Sequence, residues 1–460
     1  MDIENLLVGI DDIATKLGIN SRSRLQTFYE TALEGRETLD LEVEGFTNAP
    51  IQLDSEVEFA EAKQYLRAMA TYVDNESPVL ARGRKVELNT WKQAIPTQRR
   101  NVKRGKDDYK KMLLAAQKEA VNGMLVGKSV TQSVRDYLWN NLFESLQVIP
   151  DSHVASKNYQ VGQMLSKRQI TLTKDNNPGG IVGITFESKV PKANVVDETW
   201  FTVAANGTVT YVETADPILT LKKKIRGLKL DRHKGYPNVR VEMNAKTFFT
   251  LVEHPKIMTR LGYKLRPELD IVPKNDANAL RVGTEKYLSE GDEFIINFFR
   301  EAIGANELKL HTAIVGVDKL NAVSKEFDTD EIDTFDEGVV LIRPTGNIGV
   351  IQPVMVVRPD KQAVYADILN GWGIIEYFYD ARTRTQEWIS EVSYLAMPTQ
   401  PRNMYYINVQ GETAAGDTYT AVTNPTGNPS TKGYYELVED EYVLSTDTTV
   451  DSGKTYYTKS

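Results

Sequence analysis

Four consecutive apolar residues, Val339-Val340-Leu341-Ile342, stand between a solvated turn, Asp336-Glu337-Gly338, and the reversal Pro344-Thr345-Gly346-Asn347. A short apolar run bounded by turn residues is a strand buried on both faces. Whatever the chain folds into must therefore cover this strand on two sides. Pro344 presets φ in the reversal, and Gly346 supplies a positive φ where the turn needs one. Ile348 to Val357 returns as a second extended run, and a charged interval after it reads as irregular. Trp388 to Leu395 and Met404 to Val409 are two further extended segments. Met397-Pro398 and Pro401-Arg402 are expected to keep the connection between them out of regular pairing.

At 460 residues the chain is long for one core, and two or three domains are expected. It has no cysteine, which excludes disulfides, thiolate catalysis and cysteine-bound zinc and fits a reducing cytoplasm. No apolar run approaches the ~20 residues of a membrane span. Met1-Asp2-Ile3-Glu4 lacks the basic start of a signal peptide, so a cytoplasmic product is expected. Eight acids against three lysines place −5 of the net −8 charge in residues 410–460. The near-neutral body argues against a dedicated nucleic-acid binder, which needs excess Lys and Arg to displace counterions.

Along the chain, Asn5 to Leu17 and Ser21 to Leu33 have loose helical spacing. They read either as an arm that finds its partner on a neighbouring subunit or as a small helical cap. Glu56 to Ala70 reads as a helix through Phe59, Ala62, Leu66 and Met69. Tyr72 to Lys106 is dense in bases: Arg82, Arg84, Lys85, Lys92, Arg99, Arg100, Lys103, Arg104 and Lys106 sit among isolated hydrophobes such as Val86, Leu88 and Trp91. The alternation around Lys85 to Asn89 predicts a two-stranded ribbon, which alone is marginally stable in water. It is either a long inter-subunit arm or a solvated basic hairpin. Helices follow over Lys106 to Leu125 and Ser129 to Leu146, the second ended by Pro150.

Gln169 to Phe186, broken at Asn176-Asn177-Pro178-Gly179-Gly180, and Trp200 to Val212 read as strands. Asp216-Pro217 starts a helix with Ile218, Leu221, Ile225 and Leu228 on its apolar side. Asn238 to Met243 alternates as a strand with one buried face. Asn244 caps a helix over Ala245 to Val252, and Pro255 begins another that ends at Gly262. Phe294 to Phe299 and Thr312 to Val317 read as strands, and Ser324 to Asp336 as an acidic surface loop. In the tail, Asn424 to Pro429 reads as a linker. Tyr434 to Val438 and Glu441 to Leu444 flank an acidic turn, and Thr455 to Thr458 is a last strand.

Reactive constellations are hard to find. His153, His233, His254 and His311 are far apart and lack metal-binding spacing. There is no phosphate loop and no nucleophile elbow; Gly127-Lys128-Ser129 has its upstream Gly123 one residue too close. Asp11-Asp12, Asp107-Asp108 and Glu439-Asp440-Glu441 are simplest as helix-start or turn charges. Lys222-Lys223-Lys224 spreads around a helix as a solvated face that could touch DNA without reading its sequence. No enzyme, cofactor or metal is expected.

Three ordered blocks carry a resemblance. They are the basic region with the helices after it; the block holding "D-P-I-L-T-L-K", "V-R-V-E-M-N-A" and "L-V-E-H-P-K-I"; and the closing runs "D-E-G-V-V-L-I-R-P-T-G-N-I-G" and "S-Y-L-A-M-P-T-Q-P". Together they resemble the major capsid proteins of tailed bacteriophages, in the branch of the lambda head protein (protein E) family. The resemblance implies an α+β, Hong-Kong-97-like capsid fold. Its parts would be an N-terminal arm (1–55), an extended loop region (56–110), a spine helix with peripheral domain (111–265), an axial domain (266–385) and closing peripheral strands (386–409). It implies self-assembly into pentamers and hexamers of an icosahedral head, with scaffold, portal and decoration proteins as partners and non-specific contact with packaged DNA. It also implies location in the virion after assembly in the host cytoplasm. Inter-subunit contacts would come from Arg82, Arg84, Lys85, Arg99, Arg100, Lys103 and Arg104. Residues 410–460 lie outside the resemblance and are similar to small β modules appended to virion proteins. The alternatives are another virion or surface-binding protein acting through that module and, third, a glycan hydrolase using a carboxylate pair.

Overall fold

The computed structural model describes residues 44–62, 88–105, 111, 114–115, 118, 130–178, 180–204, 206–230, 235–271, 274–320, 327–356, 364–368, 371–380, 382, 385–411, 419–421, 435–438, 441–444, 449, 454 and 456–459. The two helices expected within residues 5–33, the bases Arg82, Arg84 and Lys85, and nearly all of the helix expected over 106–125 lie outside them.

The elements in chain order begin with strands β1 (Phe46–Asn48), β2 (Glu56–Ala62), β3 (Leu88–Ala94) and β4 (Thr97–Arg104), then helix α1 (Val130–Ser166). Strands β5 (Gln169–Thr171), β6 (Thr185–Glu187), β7 (Val195–Val203) and β8 (Val209–Tyr211) precede α2 (Pro217–Lys229). After β9 (Val239–Asn244) come α3 (Ala245–Val252), α4 (Pro255–Leu265), α5 (Asp276–Ser289) and α6 (Asp292–Ile303). Strands then dominate: β10 (Glu307–His311), β11 (Ile314–Leu320), β12 (Phe327–Asp333), β13 (Val339–Pro344), β14 (Gly349–Val354), β15 (Val364–Ile368), β16 (Gly371–Asp380), β17 (Thr385–Pro398) and β18 (Tyr405–Gly411). The tail adds β19 (Tyr419–Ala421), β20 (Tyr435–Val438), β21 (Glu441–Leu444) and β22 (Tyr456–Lys459). The α+β class expected from the sequence is the class observed.

Two compact units divide the chain: Met1–Asp197 with Pro217–Asn408, and Glu198–Asp216 with Val409–Ser460. In the first, one sheet runs β1–β14–β17–β16–β15 with β4 added on β17, and another runs β10–β9–β13–β18. The second unit holds most of the β7–β8 hairpin and a sheet ordered β19–β22–β20–β21. The hairpin expected across Glu439-Asp440 is present as β20 against β21, with Val438 opposite Glu441, and the last strand is present as β22.

The strand Val339 to Ile342 is buried throughout, lying between β9 and β18. Gly346 has φ +97°, as the reversal requires. The reversal does not close a hairpin, however. It carries the chain into the other sheet, where β14 pairs with β17 and β1. Pairing also runs on through Met397-Pro398, opposite Val350 and Gly349, so that connection is not irregular there. The interval after β14, read as irregular, contains β15 and β16. Ile374 and Ile375 are buried, and the charges flanking β16 hid its run Gly371-Trp372-Gly373-Ile374-Ile375.

The helix expected to stop at Pro150 continues to Ser166. An interior proline removes one helical bond and costs about 3 kcal/mol. Here α1 lies along β17, and side chains too polar to read as a core face are buried and bonded there. Gln160 accepts from the Ala396 amide at 3.1 Å, Tyr394 Oη donates to the His153 carbonyl at 2.6 Å, and Gln163 donates to the Thr334 carbonyl at 3.1 Å. Ile149, Val161 and Leu165 join the apolar cluster with Trp388, Val392 and Tyr406. These contacts offset the lost bond.

Four further expectations change. Glu56–Ala62 is a strand rather than a helix, because Val57 and Phe59 are buried while Glu56 and Glu58 face water, a period of two; Phe59 stacks on Trp91 across β3 at 5.9 Å. Asp292–Ile303 is a helix: Ile295, Phe298, Phe299 and Ile303 share its buried side, and Gly304 caps it. The expected acidic loop holds β12, paired with β11, where Lys319 reaches Asp330 at 2.6 Å. Strand β9 is buried at all six positions instead of one face. Asn244 caps α3 as expected, accepting from the Lys246 amide.

Helices α4 and α5 approach through Gly262 and Gly283. A Cβ on Gly262 would lie 1.8 Å from the Ala279 carbonyl oxygen, and one on Gly283 would lie 1.9 Å from that of Met258. We expect Gly262→Ala and Gly283→Ala each to cost about 1–3 kcal/mol through forced separation of the pair. Urea unfolding monitored by circular dichroism checks this; unchanged midpoints would mean the helices part freely.

Candidate functional site: a basic strand and a buried charge network

Of the seven bases singled out in the sequence, Arg99, Arg100, Lys103 and Arg104 share one described element, β4. Thr97, Arg99, Asn101 and Lys103 face solvent, and Gln98, Arg100 and Val102 turn inward, with Val102 packed against the apolar cluster. β4 lies antiparallel on β17 of its own chain, Arg99 opposite Glu391 and Lys103 opposite Glu387. Such opposite-charge cross-strand pairs hold register. Arg99 is ion-paired with Glu391, and Arg100 with Asp318 at 2.8 Å. Burial pushes the Asp318 carboxyl up, but bonds from Arg100 and Thr329 outweigh it and hold the group below its ordinary value. The strand therefore has a partner within its own chain, whereas the sequence showed only that it needed one. Arg99, 57% exposed, and Lys103 still present positive charge to solvent.

Behind the second sheet lies a network the sequence did not point to. Glu242 of β9 is 0% exposed and Arg343 of β13 is 1% exposed. Arg343 donates to Glu242 through Nε at 2.8 Å and through Nη2 at 2.6 Å. His311 Nε2 lies 3.3 Å from the other Glu242 oxygen, and its ring stacks on Phe335 at 4.5 Å. Burial alone would raise the Glu242 pKa; Arg343 and His311 reverse that and hold it ionised. Arg240 grips Glu44 with two bonds, 2.8 and 3.0 Å, and also pairs with Glu307. Arg343 further donates to the Glu44 carbonyl at 3.2 Å. The network thus ties the segment entering β1 to three strands of the other sheet. The alternation of Val239 to Met243 puts Arg240 and Glu242 on a nominal polar face. The missed signal was Arg343, a charge inside an apolar strand that needs a buried carboxylate.

The remaining candidates are placed as follows. His254 caps α4, its Nδ1 accepting from the Lys256 amide at 3.1 Å. His153 is buried, 3.0 Å from Ser390 Oγ. Lys224 lies over the Tyr405 ring at 5.2 Å, while Lys223 faces solvent. His233, Asp11-Asp12 and Asp107-Asp108 lie outside the described residues. Among the described residues no group of three His, Asp or Glu side chains is placed to hold a metal ion, and no helix is long and apolar enough to cross a membrane. The arrangement fixes strands and leaves a basic ladder at the surface.

No family model and no curated protein matches the chain. Among solved structures it is similar to a phage-related protein from Bordetella bronchiseptica RB50, with 11% identity, 83% of this chain and 95% of that chain covered, and a TM-score of 0.39. It is also similar to the satellite phage P4 procapsid including size determination protein, with 10% identity, 85% and 91% covered and a TM-score of 0.42. A third similar structure is the capsid of the cyanophage P-SCSP1u, with 10% identity, 80% and 88% covered and a TM-score of 0.38.

Proposed function

We propose that this chain is a major capsid protein of a tailed double-stranded-DNA bacteriophage, a shell subunit of Hong-Kong-97-like fold that assembles into pentamers and hexamers. The observation that carries the reading is the order of the three resembling blocks. Each builds a distinct part of one framework: the first supplies β4 and α1, the second α2, β9, α3 and α4, and the third β13, β14, β17 and β18. The ion pairs Arg343–Glu242, Arg240–Glu307 and Arg99–Glu391 of this framework hold strands together, in keeping with a structural subunit. Copies of the chain are its principal partners on this reading, with scaffold, portal and decoration proteins meeting the assembled shell. The exposed bases of β4 would lie at subunit contacts, where obligate interfaces commonly exceed about 2,000 Å².

The test is expression of the full chain followed by sedimentation and electron microscopy. Closed shells are expected. Arg99→Gln with Lys103→Gln should leave the subunit's circular dichroism unchanged and reduce shell yield by about tenfold or more. Material that stays monomeric under all conditions, with or without a scaffold, would overturn the reading. The second reading, a virion protein acting through residues 410–460, draws on the separate four-stranded sheet β19–β22–β20–β21. It is favoured if the monomer binds glycans.

A further inference from the structure

The hairpin of β5 and β6 carries an apolar tip that its own fold leaves in water. Ile181, Val182 and Ile184 are 58%, 48% and 40% exposed. The tip is nevertheless fixed in shape. Gly183 has φ +86°; its amide donates to the Leu172 carbonyl while the Leu172 amide donates to the Ile184 carbonyl, each at 2.8 Å. Two residues thus oppose one, a bulge that glycine starts and that re-aims the side chains beside it. Asn176 accepts from the Thr173 amide at 2.8 Å and donates to Tyr159 Oη of α1 at 3.1 Å. Asn177 Nδ2 donates to the Ile181 carbonyl at 2.9 Å. At the foot, Ile170 and Phe186 are buried in one cluster with Met164 and Leu395. Scattered exposed apolar residues need no account, but three together on a braced loop mark a contact site.

A matching surface lies just before β2. Leu53 is 77% exposed. On one side of it the Met355 amide donates to the Gln52 carbonyl at 2.9 Å, and on the other Asp54 Oδ1 accepts from the Glu56 amide at 3.0 Å. Leu53 is therefore held outward by bonds on both sides. Asp54 and Glu56 are exposed, and among the described residues neither is in an ion pair. Lys174, in the loop of the β5–β6 hairpin, is likewise exposed and outside any ion pair. One surface joins apolar residues to a cation, and the other joins an apolar residue to two carboxylates.

We infer that the β5–β6 tip of one copy docks on the Leu53 segment of a second copy, with Lys174 meeting Asp54 and Glu56. Both surfaces are open to water within one chain, so neither covers the other there, and the partner of each is a different copy. The contact is head-to-tail, and such contacts close into rings or continue as a lattice. Three side chains and a leucine cover far less than the roughly 800 Å² per partner of a stable pairwise interface. The contact therefore holds only as one of several between neighbours, which is where the inference rests on the shell reading.

Because the chain has no cysteine, full-length Val182→Cys and Leu53→Cys can be mixed under mild oxidation, with Val182→Cys and Ser289→Cys as the control pair. Disulfides require Cα atoms about 4.4–6.8 Å apart. The Val182–Leu53 pair should cross-link about tenfold or more faster than the control. Adding Lys174→Glu to the first chain should slow the reaction, and Glu56→Lys in the second should restore it. A rate no higher than the control, or Val182 dimers in place of the mixed product, would overturn the inference, as would indifference to the charge reversal. As a second measurement, Ile181→Ser/Val182→Ser should keep the subunit's melting temperature and lower shell yield about tenfold or more; normal yield would equally overturn it. Mixed disulfides from a protein that forms no shells would count against the shell reading alone. Shells without the disulfide would count against this contact alone.

Discussion

Replacing Arg343 with methionine is expected to destabilise the first unit by about 3–5 kcal/mol, the cost of leaving one partner of a buried ion pair uncompensated. Glu242 has no exposed surface, and Arg343 supplies its two shortest bonds. Without them, Glu242 keeps His311 at 3.3 Å and Arg240 at 3.7 Å, neither with the forked geometry of the lost guanidinium. The substitution also removes the donor to the Glu44 carbonyl, loosening the segment that enters β1. Methionine fills similar volume, so the loss is one of charge pairing more than of packing. Adding Glu242→Gln should recover much of the loss, because a neutral amide is far cheaper to bury than an unpaired carboxylate. Urea unfolding of the three variants measures this. A single substitution costing under about 1 kcal/mol would show that water reaches Glu242. A double variant no better than the single would show that packing dominates.

Stability should also fall as the medium is acidified from pH 6.5 toward pH 4, and His153 is the group responsible. It is buried in α1, and burial first, then the positive charge of Arg100, pushes its pKa down from 6.5 to about 4. Below pH 6.5 the unfolded chain takes up a proton that the folded chain refuses. A depressed folded value therefore means stability that is full above pH 6.5 and is lost progressively as pH falls to about 4. The size follows from the difference between the two pKa values, on the order of 3 kcal/mol. His153→Gln can keep a bond to Ser390 Oγ, 3.0 Å from the imidazole Nε2, without a titrating ring. The stability difference between the two proteins should change by about this amount across the window, measured by urea unfolding at a series of pH values. A difference independent of pH would mean that the ring takes up its proton as readily in the fold as in the unfolded chain. The carboxylate of Glu242, held low, contributes in a separate window, below its unfolded value of about 4.5.

The residues alone determined the strand at Val339–Ile342, the turn at Gly346, the helix starts at Pro217, Ala245 and Pro255, and the paired strands of the tail. Each of these depends on interactions within a few residues: apolar runs, a proline or a cap at a helix start, a glycine that can take positive φ. What only the tertiary structure decided involves partners far away in sequence. Val57 and Phe59 fit a helical stripe or a strand face equally well until β3 arrives opposite them. Residues 151–166 look too polar for a core helix until β17 bonds to Gln160 and His153. Val339 and Val350 look like neighbours across a turn, yet they belong to different sheets, because β18 pairs with the first through Asn408 and β17 with the second through Met397, both far downstream. Arg240 and Glu242 read as a wet face, and the fold buries them. A buried charge is tolerable only with its partner in place, and Arg343, the partner of Glu242, lies 101 residues away.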